Sequence, residues 1–96
     1  MKIRNIRHKG LRGLVEKNSP KGLQADYVTK ITDIMAFLIE IEDVSEVFDL
    51  QKYKPHLLSG DRDGTYSLHV NANWRITFRH DADEHELYDV DFEDYH

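Results

Sequence analysis

Midway along the chain the spacing of apolar residues changes from a helical period to an alternating one, so neither an all-helical nor an all-strand fold can accommodate it. In the first half, Tyr27, Ile31, Ile34, Met35, Leu38 and Ile41 fall on one stripe, widened by Val28 and Phe37, which is the signature of an amphipathic helix. Leu11, Leu14 and Val15 make a shorter helical face within Lys9 to Lys17, and Asn18-Ser19-Pro20-Lys21-Gly22 breaks the two apart. A third short helix is expected from Val44 to Leu50, with Asp43 as its cap. Lys2 to Ile6 reads as a short strand.

In the second half the period is two. Tyr66, Leu68 and Val70 alternate with Ser67 and His69. Trp74, Ile76 and Phe78 alternate with Arg75, Thr77 and Arg79. Tyr88, Val90 and Phe92 are expected inward on a last strand from His85 to Phe92. Tyr53 to Leu58 is a further strand candidate, placed at an edge because Pro55 has no N–H to give a ladder. The linkers are the turn Gly60-Asp61-Arg62-Asp63-Gly64, the connection Asn71-Ala72-Asn73 and a polar loop from His80 to Glu84. Helices followed by an antiparallel meander imply an α+β fold, two or three N-terminal helices covering one face of a small, mainly antiparallel sheet.

At 96 residues the chain is expected to be one domain, 1–96. It has no cysteine, which excludes disulfides, thiolate metal sites and cysteine nucleophiles. No apolar run approaches the ~18 residues of a membrane span. The opening Met1 to His8 carries Lys2, Arg4 and Arg7 without a following apolar stretch, so it does not read as a secretion signal. A cytoplasmic protein without a membrane partner is expected.

The net charge of −5 conceals a strong segregation. Residues 1–30 carry eight basic and two acidic side chains, and residues 31–50 carry six acidic and none basic. Residues 51–80 carry five basic and two acidic, and residues 81–96 carry eight acidic and none basic. A fold with a basic and an acidic face is one expectation from this pattern, ordinary solvated charge runs the other. If the helices cover the apolar side of the sheet, the other side presents Ser67, His69, Arg75, Thr77 and Arg79, within reach of Arg62 from the turn. Two or three arginines on an open sheet face suit a polyanion, but the same residues also make a plain wet face, and composition does not separate the two.

The stretch from Gly60-Asp61-Arg62-Asp63-Gly64 through Asn71-Ala72-Asn73-Trp74-Arg75-Ile76-Thr77-Phe78 resembles the signature of HigB-type toxins of the RelE/ParE superfamily. The ending Glu93-Asp94-Tyr95-His96 and the opening Arg7-His8-Lys9-Gly10-Leu11 resemble the same family. This resemblance implies a RelE-like fold and metal-independent, cofactor-free endoribonuclease action on mRNA, usually in the decoding site of a translating ribosome, against rRNA. It also implies a helix-turn-helix antitoxin partner of the HigA kind, through which operator DNA is contacted indirectly. Carried over by position, the catalytic group is His56, Asp94, Tyr95, His96 and Arg75, with Lys54, Arg62 and Arg79 along the RNA. Ser59 departs from the pattern, standing where many members carry lysine.

Elementary chemistry is compatible with that set. Cleavage without a metal needs a base for the 2′-hydroxyl proton, an acid for the leaving 5′ oxygen and cations for the phosphate. Histidine titrates near neutrality and can serve as base or acid. Asp94 could orient a neighbour, and Tyr95 could stack on a base or donate a proton. Other readings are a ParE-like inhibitor of DNA gyrase, which would generally lack the terminal acid–aromatic–histidine group, and a catalytically weak antitoxin-binding module. A metal site at His80, Asp81, Asp83, Glu84 and His85 is a further alternative, set against a solvated hairpin loop.

Overall fold

A computed structural model describes residues 1–94 of the chain. Strand β1 (Lys2–Ile3) is followed by helices α1 (Lys9–Lys17) and α2 (Ala25–Glu40). Then come 3-10 turns at Val44–Asp49 and Gln51–Tyr53, strand β2 (His56–Leu57), and a 3-10 turn at Gly60–Arg62. Strands β3 (Thr65–His69), β4 (Trp74–Asp81) and β5 (Glu86–Asp94) complete the order. The sheet runs β1-β5-β4-β3-β2. Among the named strands of the described residues, β1 is parallel to its neighbour, β5, and the other strand pairings are antiparallel.

The helices form where the apolar stripes predicted them, and local chemistry sets their ends. The His8 ring caps α1 by accepting from Leu11 N through Nδ1 at 3.1 Å. Asn18 ends it in the left-handed region at φ 53, a conformation asparagine tolerates well. At the far end of α2, the Met1 ammonium donates to Leu38 O at 3.1 Å and Ile41 O at 2.6 Å, placing positive charge against the negative end of the helix. Leu11 and Leu14 from α1 and Ile31, Ile34, Met35 and Leu38 from α2 join Leu68, Ile76, Phe78, Leu87, Val90 and Phe92 of the sheet in one buried cluster. Among the described residues, no helix is long and apolar enough to cross a membrane.

Several local expectations change. The third helix is a 3-10 turn, closed by a capping box in which Asp43 Oδ1 accepts from Ser45 N at 2.8 Å and Glu46 bonds back to Asp43 N at 3.0 Å. Of the strand expected over Tyr53 to Leu58, only His56 and Leu57 pair, at the sheet edge. The preceding backbone turns left-handed at Lys54, φ 48, which breaks the extended run just before Pro55.

The largest change is in β5. Thr77 registers with Asp91 but Arg79 with Tyr88, so β5 holds one residue more than β4 over that stretch. The extra residue, Asp89, lies at φ 51. Asn5 holds it from both sides, with Asn5 Nδ2 donating to Asp89 Oδ1 at 3.0 Å and Asp89 N donating to Asn5 Oδ1 at 2.9 Å. The bulge shifts the alternation by one place. Leu87, fully buried, takes the inward position expected for Tyr88, while Val90 and Phe92 stay inward as expected. A β-branched residue is strongly disfavoured at such a φ, and valine would lose the side-chain acceptor that Asn5 Nδ2 bonds. Asp89→Val should therefore lower unfolding free energy by about 2 kcal/mol in urea titrations, while Asp89→Asn should stay within about 0.5 kcal/mol of wild type.

Candidate functional site

Strand alternation and the bulge together decide what meets on the sheet face away from the helices. Across the strands, Thr65, Arg79 and Tyr88 form one row. His56, Ser67, Thr77 and Asp91 form the next, and His69, Arg75 and Glu93 the third. This face was expected to be open and wet. It is instead packed, with Ser67 fully buried, Thr77 1% and Arg75 5% exposed. The cover comes from long side chains tied to one another. Arg62 reaches in from its turn and forks onto Glu93, Nη1 to Oε1 at 2.9 Å and Nη2 to Oε2 at 2.7 Å. Glu93 also accepts from the Thr77 hydroxyl.

The other cations bond to neutral acceptors. Arg75 Nη1 donates to Ser67 Oγ at 3.3 Å. Arg79 donates through Nε to the Tyr88 hydroxyl at 3.2 Å and through Nη1 to Asp63 O at 3.1 Å and Thr65 Oγ1 at 3.2 Å. Gly64 lets Arg79 lie close, since a Cβ there would sit 3.2 Å from its Nη2 and would have to adopt φ 86. A cleft of about 330 Å³ opens beside this network, lined by Arg7, Arg62 and Arg79 and by the carboxylates of Asp61, Asp89, Asp91 and Glu93. With four acids to three bases, its walls carry no cationic excess.

The positively weighted part of the face lies at the β2–β3 edge. His56 is exposed there, its Nδ1 donating to Lys54 O at 2.6 Å, which leaves Nε2 pointing away from that bond. Its ring centroid is 5.7 Å from that of His69. Burial, followed by the charges of Arg75, His56 and Lys54, pushes the His69 imidazole below its ordinary pKa. The Arg62 fork, followed by Thr77 as a second donor, holds the Glu93 carboxyl below its ordinary value of 4.5 against the opposing effect of burial.

Of the residues named from sequence, His56 and Arg75 meet on this face, each beside Ser67. Arg62 and Arg79 join them through Glu93, Thr65 and Tyr88, while Lys54 is exposed and contributes its carbonyl to His56. Asp94 is exposed at the end of β5, in register with Trp74, so alternation puts it on the Trp74–Phe92 side of the sheet rather than with Glu93. Tyr95 and His96 lie outside the described residues. Sequence reasoning gave no part to Glu93 beyond the terminal motif and none to His69 beyond its face. Their signal was the phase of β3 and β5 relative to Arg75.

The charge segregation does not produce a basic and an acidic face. The parallel β1–β5 pairing sets the basic opening against the acidic end. Lys2 Nζ lies 3.8 Å from Glu86 Oε2, and Arg4 Nη2 lies 2.5 Å from Asp81 Oδ2 and 3.7 Å from Glu86 Oε1. The loop weighed as a metal site is organised as a turn, with Asp81 Oδ1 accepting from Asp83 N at 3.0 Å and Glu84 N at 3.1 Å. Among the described residues no group of three His, Cys, Asp or Glu side chains gathers as a metal cage.

Fold and face together define a small α+β protein carrying a histidine- and arginine-bearing sheet face opposite its helices. No family model matches the chain. It is 39% identical over 94 residues, 98% of this chain and 99% of the relative, to the protein of Proteus vulgaris named Endoribonuclease HigB. The chain belongs to the HigB family of endoribonuclease toxins, with their RelE-like fold.

The Glu93 linkage has a definite sign. A carboxyl whose pKa falls on folding adds stability above its unfolded value, and that stability is lost as pH drops through the folded value. Wild-type stability should fall as pH drops below 4.5, and Glu93→Gln should flatten that part of the curve, as read by thermal melts against pH. An equally steep acid limb in the variant would show that Arg62 and Thr77 do not hold the charged form.

Proposed function

We propose that the chain is a single-domain cytoplasmic toxin of a toxin–antitoxin pair and cleaves mRNA on the translating ribosome from its polar sheet face. The observation that carries this reading is the meeting of His56 and Arg75 around Ser67, in a chain with an endoribonuclease relative over nearly its full length.

The chemistry runs as a transfer of phosphorus between two oxygens of the RNA. A base removes the 2′-hydroxyl proton, the 2′ oxygen bonds to phosphorus, and the bond to the 5′ oxygen breaks as that oxygen gains a proton. The Arg75 guanidinium, held by Ser67, is preorganised for charge developing on the non-bridging oxygens, and its burial strengthens the effect. His56 offers Nε2 for proton transfer because Lys54 O engages its other nitrogen. Lys54, Arg62 and Arg79 would follow the strand on either side. Asp94, Tyr95 and His96 enter through the family resemblance alone; Asp94 lies on the Trp74–Phe92 side of the sheet and takes no proton on this face. A helix-turn-helix antitoxin of the HigA kind is the expected partner, bringing operator DNA into indirect contact, and no metal or other cofactor is required.

Expression of the chain alone, with mapping of mRNA 5′ ends, tests this directly. New 5′ ends within translated codons are expected, and an unchanged end profile in arrested cells would point to a target other than mRNA. His56→Ala should slow cleavage about 100-fold without unfolding the chain. Arg75→Lys, which keeps charge but loses the planar fork, should retain ribosome binding and lose most of the rate. Cleavage in EDTA on ribosomes supplied with polyamine instead of magnesium should proceed unchanged; loss that zinc alone restores would contradict the cofactor-free reading.

A further inference from the structure

We propose that His69 is a second catalytic imidazole, taking the 2′-hydroxyl proton while His56 delivers a proton to the departing 5′ oxygen. The inference rests on the ribonuclease reading above and concerns how that same face divides its work.

Placement comes first. Alternation along β3 puts Ser67 and His69 on the polar face, and the β2 register sets His56 opposite Ser67. His56 and His69 are therefore diagonal neighbours, a relation in which ring side chains of adjacent strands meet. Their centroids are 5.7 Å apart at an interplanar angle of 41°. On the other side of β3, His69 registers with Arg75. Two imidazoles and a guanidinium thus occupy one corner of the sheet, the three groups that cleavage through a 2′ oxygen asks for. His69 is half-buried rather than sealed in the core, so its ring has a route to substrate.

The two rings also stand in different surroundings. His56 is exposed and donates from Nδ1 to Lys54 O, a bond that a protonated ring keeps. His69 loses hydration and faces Arg75 from β4 and His56 and Lys54 from the β2 side, all of which disfavour its charged form. The acid nearest on that row, Glu93 of β5, is engaged by Arg62 and Thr77. Of these two neighbouring imidazoles, His69 stands where burial and nearby cations favour the neutral ring, the form a base requires. Neutral His69 accepts the 2′ proton, the 2′ oxygen closes onto phosphorus, and cationic His56 passes its proton to the 5′ oxygen as that bond breaks. The products are a 2′,3′-cyclic phosphate and a 5′ hydroxyl. The enzyme is left with its proton on the opposite ring, and exchange with water restores the starting state.

Single-turnover cleavage of ribosome-bound mRNA across pH, with wild type, His56→Ala and His69→Gln, tests the assignment. With His69→Gln the rate should fall about 100-fold at unchanged ribosome affinity, and the rise in rate with pH on the acid side should flatten. In proton NMR of the free protein, His56→Gln should raise the His69 titration midpoint. Three results would overturn the assignment: wild-type rate in His69→Gln, a slower variant that keeps the acid limb unaltered, or a His69 midpoint indifferent to His56. If wild type itself leaves mRNA intact, the ribonuclease reading fails and the assignment falls with it, an outcome distinct from the other three.

Discussion

A slip of one residue between β4 and β5 would exchange the core of this molecule for its polar face, because every side chain on a strand changes sides with register. β4 carries Ile76 and Phe78 on one side and Arg75, Thr77 and Arg79 on the other, and β5 must match both. It does so only because Asp89 is an extra residue. Toward the start of β5, the bulge turns Leu87 into the core and Tyr88 toward Arg79. Beyond it, Val90 and Phe92 are inward while Asp91 and Glu93 join the polar rows. Asn5 fixes that residue, so the N-terminal segment, far from any proposed chemistry, sets the phase of the strand that covers Arg75 and Thr77.

The same pairing bears on how an acidic chain keeps one positively weighted corner. β1 lies along β5, and Lys2 within it and Arg4 just after it neutralise Asp81 and Glu86 locally. Such exposed pairs contribute little to stability. Their effect is on the field, since these acids no longer oppose a polyanion approaching the other edge of the sheet. Glu93 is treated differently, engaged from below by Thr77 and from the side by Arg62. What remains at the β2–β3 corner is positive or neutral: Lys54, His56, His69 and Arg75.

Much of the scaffold was legible because it follows from period alone. The stripe from Tyr27 to Ile41 gave α2, and the spacing of Leu11, Leu14 and Val15 gave α1. Alternation through Tyr66 to Phe78 gave the central hairpin. Arg62 reached the sheet face as its place in the glycine-flanked turn suggested. The bulge was not legible, because Asp89 carries no mark of a left-handed φ beyond a modest tolerance, and Tyr88 fits an inward pattern as well as Leu87 does. Nor was the burial of Arg75 and Thr77, since polar residues on an alternating strand read as solvated until Glu93 and Arg62 are seen above them. The proximity of His56 and His69 depended on a two-residue strand after a left-handed lysine, which no periodicity encodes.

The claim on which this account turns is that RNA lies across β3 and β4 on the side away from the helices. Photocross-linking with 4-thiouridine, placed beside a 2′-O-methylated codon in ribosome-bound mRNA, measures that position directly. The account predicts cross-links confined to peptides containing His56, His69 and Arg75. Cross-links concentrated on α2, with none on β3 or β4, would contradict it.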